Sequence, residues 1–260
     1  MTEAGNPEGG NYQVPSLERG LMIMQMFRND RRILSIADMA QELGVSVSAI
    51  YRIVQTLNTM NYLSKVGKSS YELAPQVLTD GFRYLASRDL VDIAMPHLNA
   101  LRDRTSLSCH LSIRDQTDSL YIYRAFAFQR LSVNIPIGTR IPCHCSAMGR
   151  ILLSSLSRSE LDALYQHSRL DDYPLPAPKT LPELLMLIDS DREKGWVLHR
   201  SDYSTAIASG VIDHSGRIVA AINLSGPEAV LDNADIQNHY RSELLDTAKA
   251  ISRELGAALA

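Results

Sequence analysis

The sequence contains little cysteine and no long apolar run, and each absence excludes a class of protein. Its three cysteines, Cys109, Cys143 and Cys145, cannot all pair, which excludes the disulfide framework of a small secreted domain. No apolar run approaches the roughly 20 residues that a membrane-spanning helix needs. The N-terminus has neither a basic start nor an apolar segment, so it is not expected to be a signal peptide. We therefore expect a soluble, cytoplasmic protein with no membrane partner.

The length and composition are those of an ordinary globular protein with one or two domains. A chain of 260 residues with 45% hydrophobic and 21% charged residues can bury a substantial core, which excludes disorder throughout. Residues 1–15, rich in Gly, Asn, Pro and Glu, are predicted to form a disordered tail. Residues 16–73 hold seven Lys and Arg against five Asp and Glu, although the whole chain has a formal net charge of −3. This mildly basic block permits DNA binding.

Two consecutive segments have apolar residues at i, i+3, i+4 and i+7, the spacing of a short amphipathic helix. These residues are Ile36, Met39, Ala40 and Leu43 in the first segment, and Ile50, Ile53, Val54 and Leu57 in the second. Gly44 is suited to end the first helix because glycine adopts a left-handed conformation at little cost. Ser46 is suited to cap the second helix. Two such helices joined by a short turn predict a helix-turn-helix.

A β-hairpin and a further helix are predicted to follow. Residues 62–65 and 70–73 alternate around Gly67-Lys68-Ser69, which predicts the wing of a winged helix. The recognition helix would span residues 46–60 and present its polar side to the major groove. The predicted DNA-binding residues are Ser46, Ser48, Tyr51, Arg52, Gln55, Lys65 and Lys68. The alternative is that the two helices belong to an ordinary helical core.

The rest of the chain mixes helical and strand patterns. Helices are predicted at residues 17–27, with Ser16 as the N-cap, and at residues 75–86, 91–104, 146–153, 159–167, 181–194 and 238–255. Strands are predicted at residues 108–114, 119–124, 131–135, 196–199, 206–212 and 218–224, the last two joined by the turn Asp213-His214-Ser215-Gly216. Hairpin-linked strands among helices predict an α+β fold with an antiparallel sheet.

Two neighbouring motifs carry possible chemistry. Cys143-His144-Cys145 contains the ligand types that zinc prefers, but no second pair of ligands has the spacing of a zinc site. In an extended segment His144 would also point away from both cysteines. We therefore predict packing residues and no metal or cofactor. The next residue, Ser146, can cap a helix whose first N–H groups attract an anion, and Gly149 would allow close approach. An ordinary capped helix is the alternative.

The chain resembles the IclR family of bacterial transcriptional regulators. The matching segments are PSLERGLMIM at Pro15–Met24, ELGVSVSAIYRIVQTL at Glu42–Leu57, GTRIPCHCSAMGRILLSSL at Gly138–Leu156 and SGRIVAAINLSGP at Ser215–Pro227. The resemblance implies an N-terminal winged helix-turn-helix, a linker helix and a C-terminal effector-binding domain with a curved antiparallel sheet. We expect the domains at residues 16–74, 75–89 and 90–260. The resemblance further implies that the protein binds palindromic operator DNA as a homodimer or homotetramer.

The resemblance also implies where an effector binds. In similar proteins small acids dock at the start of the helix that follows the RIPCHCS segment. The predicted effector-binding residues are Ser146, Ala147, Met148, His199, Ala206, Asn223 and Ser225. The sequence departs from the family pattern between Trp196 and Ile207, where it is shorter and lacks a glycine. His199 falls there at a position where an acidic residue often lies, and could pair with a carboxylate.

The sequence therefore predicts a ligand-responsive regulator of catabolic genes rather than an enzyme, with no catalytic residues. The expected effector is a small carboxylic acid, and the segment QRLSVNIPIGTRIPCHCSAMGRILL most resembles regulators of aromatic-acid catabolism. Two alternatives stay open. In the first, Cys143 or Cys145 is the nucleophile of an enzyme that acts on a small acid. In the second, the C-terminal domain only mediates oligomerisation and binds no ligand.

Overall fold

The computed structural model describes residues 13–28, 30–86, 89–128, 133–173, 176–201, 204–231 and 233–258. The chain divides into two compact units, residues 1–87 and residues 88–260. The predicted disordered tail lies mostly outside the described residues, since residues 1–12 are not among them. No helix in the described ranges is long and apolar enough to span a membrane.

The first unit is a helix-turn-helix followed by a hairpin. Its elements are α1 (Pro15–Met26), β1 (Leu34–Ser35), α2 (Ile36–Leu43), α3 (Val47–Thr59), β2 (Leu63–Val66), β3 (Ser70–Leu73) and α4 (Pro75–Ala86). The three strands form a small antiparallel sheet in the order β1-β3-β2. The predicted wing and the helix of the linker segment are thus both present.

Local signals fix the ends of the helices in this unit. Ser35 and Asp38 form a capping box at the start of α2, and Gly44 ends that helix with a left-handed φ of 63°. Ser46 caps α3 as predicted, its hydroxyl accepting from the Ala49 amide. The expected Ser16 cap of α1 is wrong: the helix begins at Pro15, because the fixed φ of proline suits the first helical position and its missing N–H costs nothing there.

The second unit is an α+β domain. Its helices are α5 (Asp89–Thr105), α6 (Ala147–Leu153), α7 (Arg158–Tyr165), α8 (Leu181–Lys194), α9 (Glu228–Leu231) and α10 (Ala234–Glu254). Its strands are β4 (Ser108–Asp115), β5 (Asp118–Ala125), β6 (Arg140–Pro142), β7 (Trp196–Arg200), β8 (Ser204–Ile212) and β9 (Ile218–Pro227). They form one antiparallel sheet in the order β6-β5-β4-β9-β8-β7, which confirms the predicted fold class.

Helix α6 covers one face of the sheet. Met148 and Ile151 of α6 pack with Ala208 and Ala221 of the sheet in one buried cluster. Helices α5 and α10 pack against each other and against the strands. Because successive side chains of a strand alternate between faces, Ile207 and its neighbours of the same parity point away from α6.

Two predictions for the middle of the chain are wrong. Residues 133–135 are not a strand, and residues 131–132 lie outside the described residues. The strand in this region is instead β6, three residues long, which adds to the edge of the sheet by pairing with β5. The segment Cys143–Cys145 is not extended but forms a 3-10 turn. A short edge strand and a 3-10 turn depend on tertiary hydrogen bonds rather than on a residue pattern.

Candidate DNA interface and effector site

The recognition helix α3 has one buried and one exposed side. Ile50 and Val54 are fully buried in the core of the first unit. Ser48, Tyr51 and Arg52 lie on the opposite side and are exposed. Their hydroxyl, phenol and guanidinium groups are of the kinds that contact bases and phosphates. The spacing of the apolar residues therefore leaves a polar helix face open to a partner.

Two of the predicted DNA-binding residues have structural roles within the unit. Ser46 is used as the N-cap of α3, and its Oγ lies 3.1 Å from the Oγ of Ser48. Gln55 is half-buried and donates from Nε2 to the Tyr71 hydroxyl over 2.9 Å. Because Tyr71 lies in β3 and is fully buried, this bond joins the recognition helix to the hairpin. The Gln55 side chain thus links α3 to β3.

The hairpin places two lysines at the surface. Lys65 lies in β2 and Lys68 in the turn that follows, and both are exposed. Gly67 occupies the turn with a φ of 67°, in the left-handed region that favours glycine. The hairpin and α3 therefore offer positive charge and hydrogen-bond donors within one compact unit.

The first unit also contains an apolar groove with a volume of about 940 Å³. Apolar residues of α1 and α3 line it, among them Leu17, Leu21, Met24 and Ile53. Leu17 and Leu21 are 63% and 58% exposed, which is unusual for leucines on a helix that packs against a core. The residues that line the groove are not those of the polar face of α3. Arg52 is the exception, since it also borders the groove.

The register of the second sheet places the predicted effector residues side by side. His199 in β7 pairs with Ala206 in β8, and Ala206 pairs with Ser225 in β9. Ser225 in turn pairs with Ser108 in β4. Residues paired across neighbouring strands point to the same face. One row across four strands therefore carries three of the predicted residues.

The next row contains a further predicted residue. Asn223 in β9 lies between Ala208 in β8 and His110 in β4. Ala208 packs in the cluster with Met148, so this row faces α6. Asn223 and His110 are both buried. The row thus places a polar pair beneath the helix at which effector binding is predicted.

The start of α6 has the predicted cap. The Ser146 hydroxyl accepts from the Gly149 amide over 3.1 Å, and Ala147 and Met148 are the first two helical residues. An α-helix itself provides no acceptor for the N–H groups of these positions. The Met148 side chain is buried against the sheet, and its Sδ accepts from the Ser112 hydroxyl at 3.4 Å. The Met148 side chain therefore lies on the same sheet face as Asn223, beneath the start of α6.

Gly149 permits close packing at this point. A Cβ at Gly149 would lie 2.2 Å from the Cα of Cys143 and 2.4 Å from its carbonyl oxygen. Only a residue without a side chain allows the 3-10 turn to cross the first turn of α6 so closely. The structure thus explains Gly149 by the close approach of the protein's own backbone, and the approach of a ligand there stays a prediction.

Several polar residues of this face were not predicted from the sequence. His110 in β4 and Tyr121 in β5 make an edge-to-face contact with ring centroids 5.5 Å apart. The Ser119 hydroxyl donates to the Ser112 hydroxyl over 2.8 Å beside them. The signal was present in β4, where Ser108, His110 and Ser112 occupy alternate positions and so share one face.

His199 is half-buried, and burial lowers its pKa, with the nearby Arg150 guanidinium acting in the same direction. It is therefore mainly neutral near pH 7 and does not supply a permanent positive charge. Arg150 itself is engaged elsewhere. Its Nε and Nη2 donate to the two carboxylate oxygens of Asp191 in α8, each over 2.7 Å. This bidentate pair joins α6 to α8 in the interior.

Cys143 and His144 of the cysteine motif are buried, and Cys145 is half-buried. Burial raises the pKa of Cys143 to about 12 and that of Cys145 to about 11, so both remain protonated thiols near pH 7. A nucleophilic cysteine requires the opposite shift. His144 is buried with its ring edge-on to Tyr173, 4.6 Å away. Among the described residues, no three His, Cys, Asp or Glu side chains are grouped so that they could hold a metal ion.

A helix-turn-helix with a cationic hairpin, together with a separate α+β unit that carries a polar sheet face, defines a DNA-binding regulator with a sensing domain. The IclR helix-turn-helix domain matches residues 16–67, and the bacterial transcriptional regulator IclR C-terminal domain matches residues 82–253. The chain belongs to the IclR family. It is a transcriptional regulator with a DNA-binding and an effector-binding domain, and not an enzyme.

Individual proteins agree with this assignment. The Pca regulon regulatory protein of Pseudomonas putida is 30% identical over 247 residues, which cover 92% of this chain and 84% of that protein. A regulator from Rhodococcus sp. RHA1 has a similar crystal structure, with a TM-score of 0.82 and 30% identity over 94% of this chain and 98% of the other. An IclR homologue from Microbacterium hydrocarbonoxydans, crystallised with 4-hydroxybenzoate, has the same fold, with a TM-score of 0.77 and 19% identity over 92% of this chain and 98% of the other.

Proposed function

We propose that this regulator controls catabolic genes in response to a small carboxylic acid, with aromatic acids the favoured class. The observation that carries the proposal is the row of His199, Ala206 and Ser225 beside Asn223 on the sheet face that α6 covers. The Pca regulon regulator of Pseudomonas putida and the 4-hydroxybenzoate complex of the Microbacterium homologue support the choice of acid. The effector would act by binding one arrangement of the protein more tightly than another, which shifts the equilibrium between them.

On DNA, we propose that α3 enters the major groove. Ser48, Tyr51 and Arg52 would contact bases and phosphates, while Lys65 and Lys68 of the hairpin neutralise flanking phosphates. Ser46 would contribute to DNA binding as the N-cap of α3, at the end of the helix that enters the groove. Gln55 contributes indirectly, because its bond to Tyr71 fixes the angle between α3 and the hairpin.

Binding to DNA upstream of the chain's own gene tests this proposal. We expect Arg52→Ala to weaken binding about five- to 150-fold, since a contact from arginine to a base contributes roughly 1–3 kcal/mol. The double variant of Lys65 and Lys68 to Ala should reduce the slope of log affinity against log salt by about 2. Lys249→Ala, which removes one positive charge from an exposed position on α10, is the control for the loss of a single charge. Equal binding by all variants would remove α3 and the hairpin from the interface.

A thermal-stability screen tests the effector. The panel contains benzoate, 4-hydroxybenzoate, succinate and acetate at concentrations well above the expected Kd. A ligand at 100 times its Kd stabilises the native state by about 2.7 kcal/mol, which for a domain of this size raises the Tm by about 5–10 °C. If no acid changes the Tm, the second unit is better explained as an oligomerisation domain without a ligand.

We also propose that the protein is a homodimer whose pairs can associate further. Helix-turn-helix proteins read two half-sites about one helical turn apart, roughly 34 Å, and a two-fold symmetric dimer matches that arrangement. The apolar groove with the exposed Leu17 and Leu21 is the surface we assign to a second copy of the chain. Burying these side chains against the equivalent surface would contribute about 25 cal/mol per Å² of apolar area.

Sedimentation measurements on Leu17→Asp and Leu21→Asp test this surface. Each variant places a charge in the groove, so we expect dissociation at concentrations at which the unchanged protein is dimeric. Met186→Asp is the control, since Met186 is 75% exposed on α8 and lies in the other unit. A dimer that is equally stable in all variants would contradict the assignment.

A further inference from the structure

His110 lies at the centre of the sheet face beneath α6, and no role follows for it from the family resemblance. It is a β4 residue, 1% exposed, and pairs directly with Asn223 of β9, which is 3% exposed. Its ring is held edge-on to the ring of Tyr121, with centroids 5.5 Å apart. A buried polar side chain in such a row needs a hydrogen-bond partner, and His110 has one in Asn223.

The hydrogen bonds between the two residues fix which atom of the Asn223 carboxamide faces His110. The backbone N–H of His110 donates to the Asn223 Oδ1 over 3.0 Å. An amide nitrogen in that position could not accept this hydrogen, so the oxygen must lie there. The His110 Nδ1 also lies 3.0 Å from the same Oδ1. Two atoms so close attract each other only if Nδ1 carries a hydrogen.

The protonation state of the ring follows from its surroundings. Burial lowers the pKa of His110 to about 4, and the nearby Arg124 acts in the same direction, while the bond to Asn223 opposes the shift. The ring is therefore neutral near pH 7 and has a single N–H, which lies at Nδ1. Both lone pairs of the Asn223 Oδ1 are then used by His110.

What remains on Asn223 is its amide nitrogen with two hydrogens. Nδ2 is turned away from His110, because Oδ1 and Nδ2 are the two ends of one planar group. The neighbour of Asn223 in the other direction along the row is Ala208, whose side chain offers no hydrogen bond. The hydrogen-bonding capacity left on the Asn223 side chain is thus that of a donor alone.

We propose that His110 is a positioning residue of the effector site, which holds Asn223 so that its Nδ2 donates to an oxygen of the bound acid. This inference rests on the proposed function, because it assumes that the effector occupies the α6 face of the sheet. It specifies that the bound acid presents one of its carboxylate oxygens to the Asn223 Nδ2. A carboxylate would then be bound by neutral donors, without a permanent cation from His110 or His199.

The first test compares two substitutions at His110 by calorimetric titration with the acid of the screen that binds best. His110→Phe keeps a ring of similar size beside Tyr121 but removes the Nδ1 donor. The backbone N–H still holds Oδ1, so one hydrogen bond is lost and we expect binding to weaken about three- to tenfold. His110→Asn places an amide N–H close to the position of Nδ1 and should stay within about twofold of the unchanged protein.

The second test reverses the chemistry of the positioned group. Asn223→Asp has nearly the same shape, and its inner oxygen can accept both hydrogen bonds from His110, so the sheet is retained. Its outer atom becomes an acceptor instead of a donor. We expect the unchanged protein to prefer the acid over its primary amide, and the variant to prefer the amide, whose N–H groups can donate. A residue with a purely structural role would not invert this preference.

The outcomes separate this inference from the proposed function. If the unchanged protein binds none of the acids, the effector proposal fails and this inference fails with it. If it binds an acid and His110→Phe binds equally well, or His110→Asn loses as much affinity as His110→Phe, only the positioning role is refuted. A uniform loss for acid and amide in Asn223→Asp, with no change in their ratio, would likewise refute it.

Discussion

Gly149 shows how one missing side chain determines the local structure at the effector site. An added Cβ would lie 2.2 Å from a backbone atom of Cys143, which cannot rotate away. We expect Gly149→Ala to destabilise the second unit by about 3 kcal/mol or more, because either the 3-10 turn or the start of α6 must move. Urea unfolding followed by circular dichroism measures the change.

Gly210→Ala is the matched control for this substitution. Gly210 lies in β8 of the same unit, and the atoms that its Cβ would meet are side-chain carbons of Ile218 at 3.0 to 3.2 Å. A half-buried isoleucine can adjust its rotamer, so the cost should stay near 1 kcal/mol. If the two variants were equally stable, the backbone contact at Gly149 would not be the cause.

At the scale of elements, the Arg150–Asp191 pair connects α6 to α8. The Asp191 side chain is 3% exposed and that of Arg150 is 14% exposed, so removing the carboxylate leaves a poorly solvated charge. We expect Asp191→Ala to cost about 3–5 kcal/mol in the free energy of unfolding. Chemical denaturation is the measurement.

The double variant Arg150→Met with Asp191→Leu separates the pair from the packing around it. Replacing both charges by apolar side chains of similar volume is often neutral, so we expect most of the lost stability to return. A double variant as unstable as Asp191→Ala would mean that the volume at these positions matters more than the charges.

The elements were predictable from the sequence to different extents. The helices of the helix-turn-helix were predictable because two kinds of signal agree. Apolar residues recur at helical spacing from Ile36 and from Ile50, and Gly44 marks the end of the first helix while Ser46 marks the start of the second. The C-terminal helix begins four residues earlier than predicted, since Asn233 caps it through its side chain. Strand β6 was not predicted, because three residues are too few to show the alternation of polar and apolar side chains in a strand. Its hydrogen bonds to β5 determine its position.

At the scale of the whole molecule, burial of histidines makes stability depend on pH. The pKa values of His110, His144 and His199 are all lowered in the fold, chiefly by burial. In the unfolded chain these imidazoles become protonated as the pH falls through about 6.5. In the folded protein they stay neutral to lower pH. The stability is therefore fully present above about pH 6.5 and is lost as the pH falls toward the lowered values.

We expect the Tm of the second unit's transition to fall between pH 7.5 and pH 5. His110, whose pKa is lowered to about 4, should contribute up to about 1.4 kcal/mol per pH unit in this window. Asp and Glu side chains in the unfolded chain change charge mainly below this range. Scanning calorimetry at several pH values measures the slope, and His110→Asn should make it shallower. A Tm that is constant or rises on acidification would contradict the assignment.

The sequence alone determined the helix-turn-helix, the hairpin and the α+β class of the second unit, because these follow from periodic apolar residues and from local caps and turns. The family resemblance also located His199, Asn223 and Ser225 on the sheet face, but not His110, Ser112, Ser119 or Tyr121. Only the tertiary structure decided that His110 meets Asn223, that Gln55 is tied to Tyr71, and that Arg150 is held by Asp191. Each of these contacts joins residues from different elements, and their distance depends on strand register and helix packing, which no local pattern specifies.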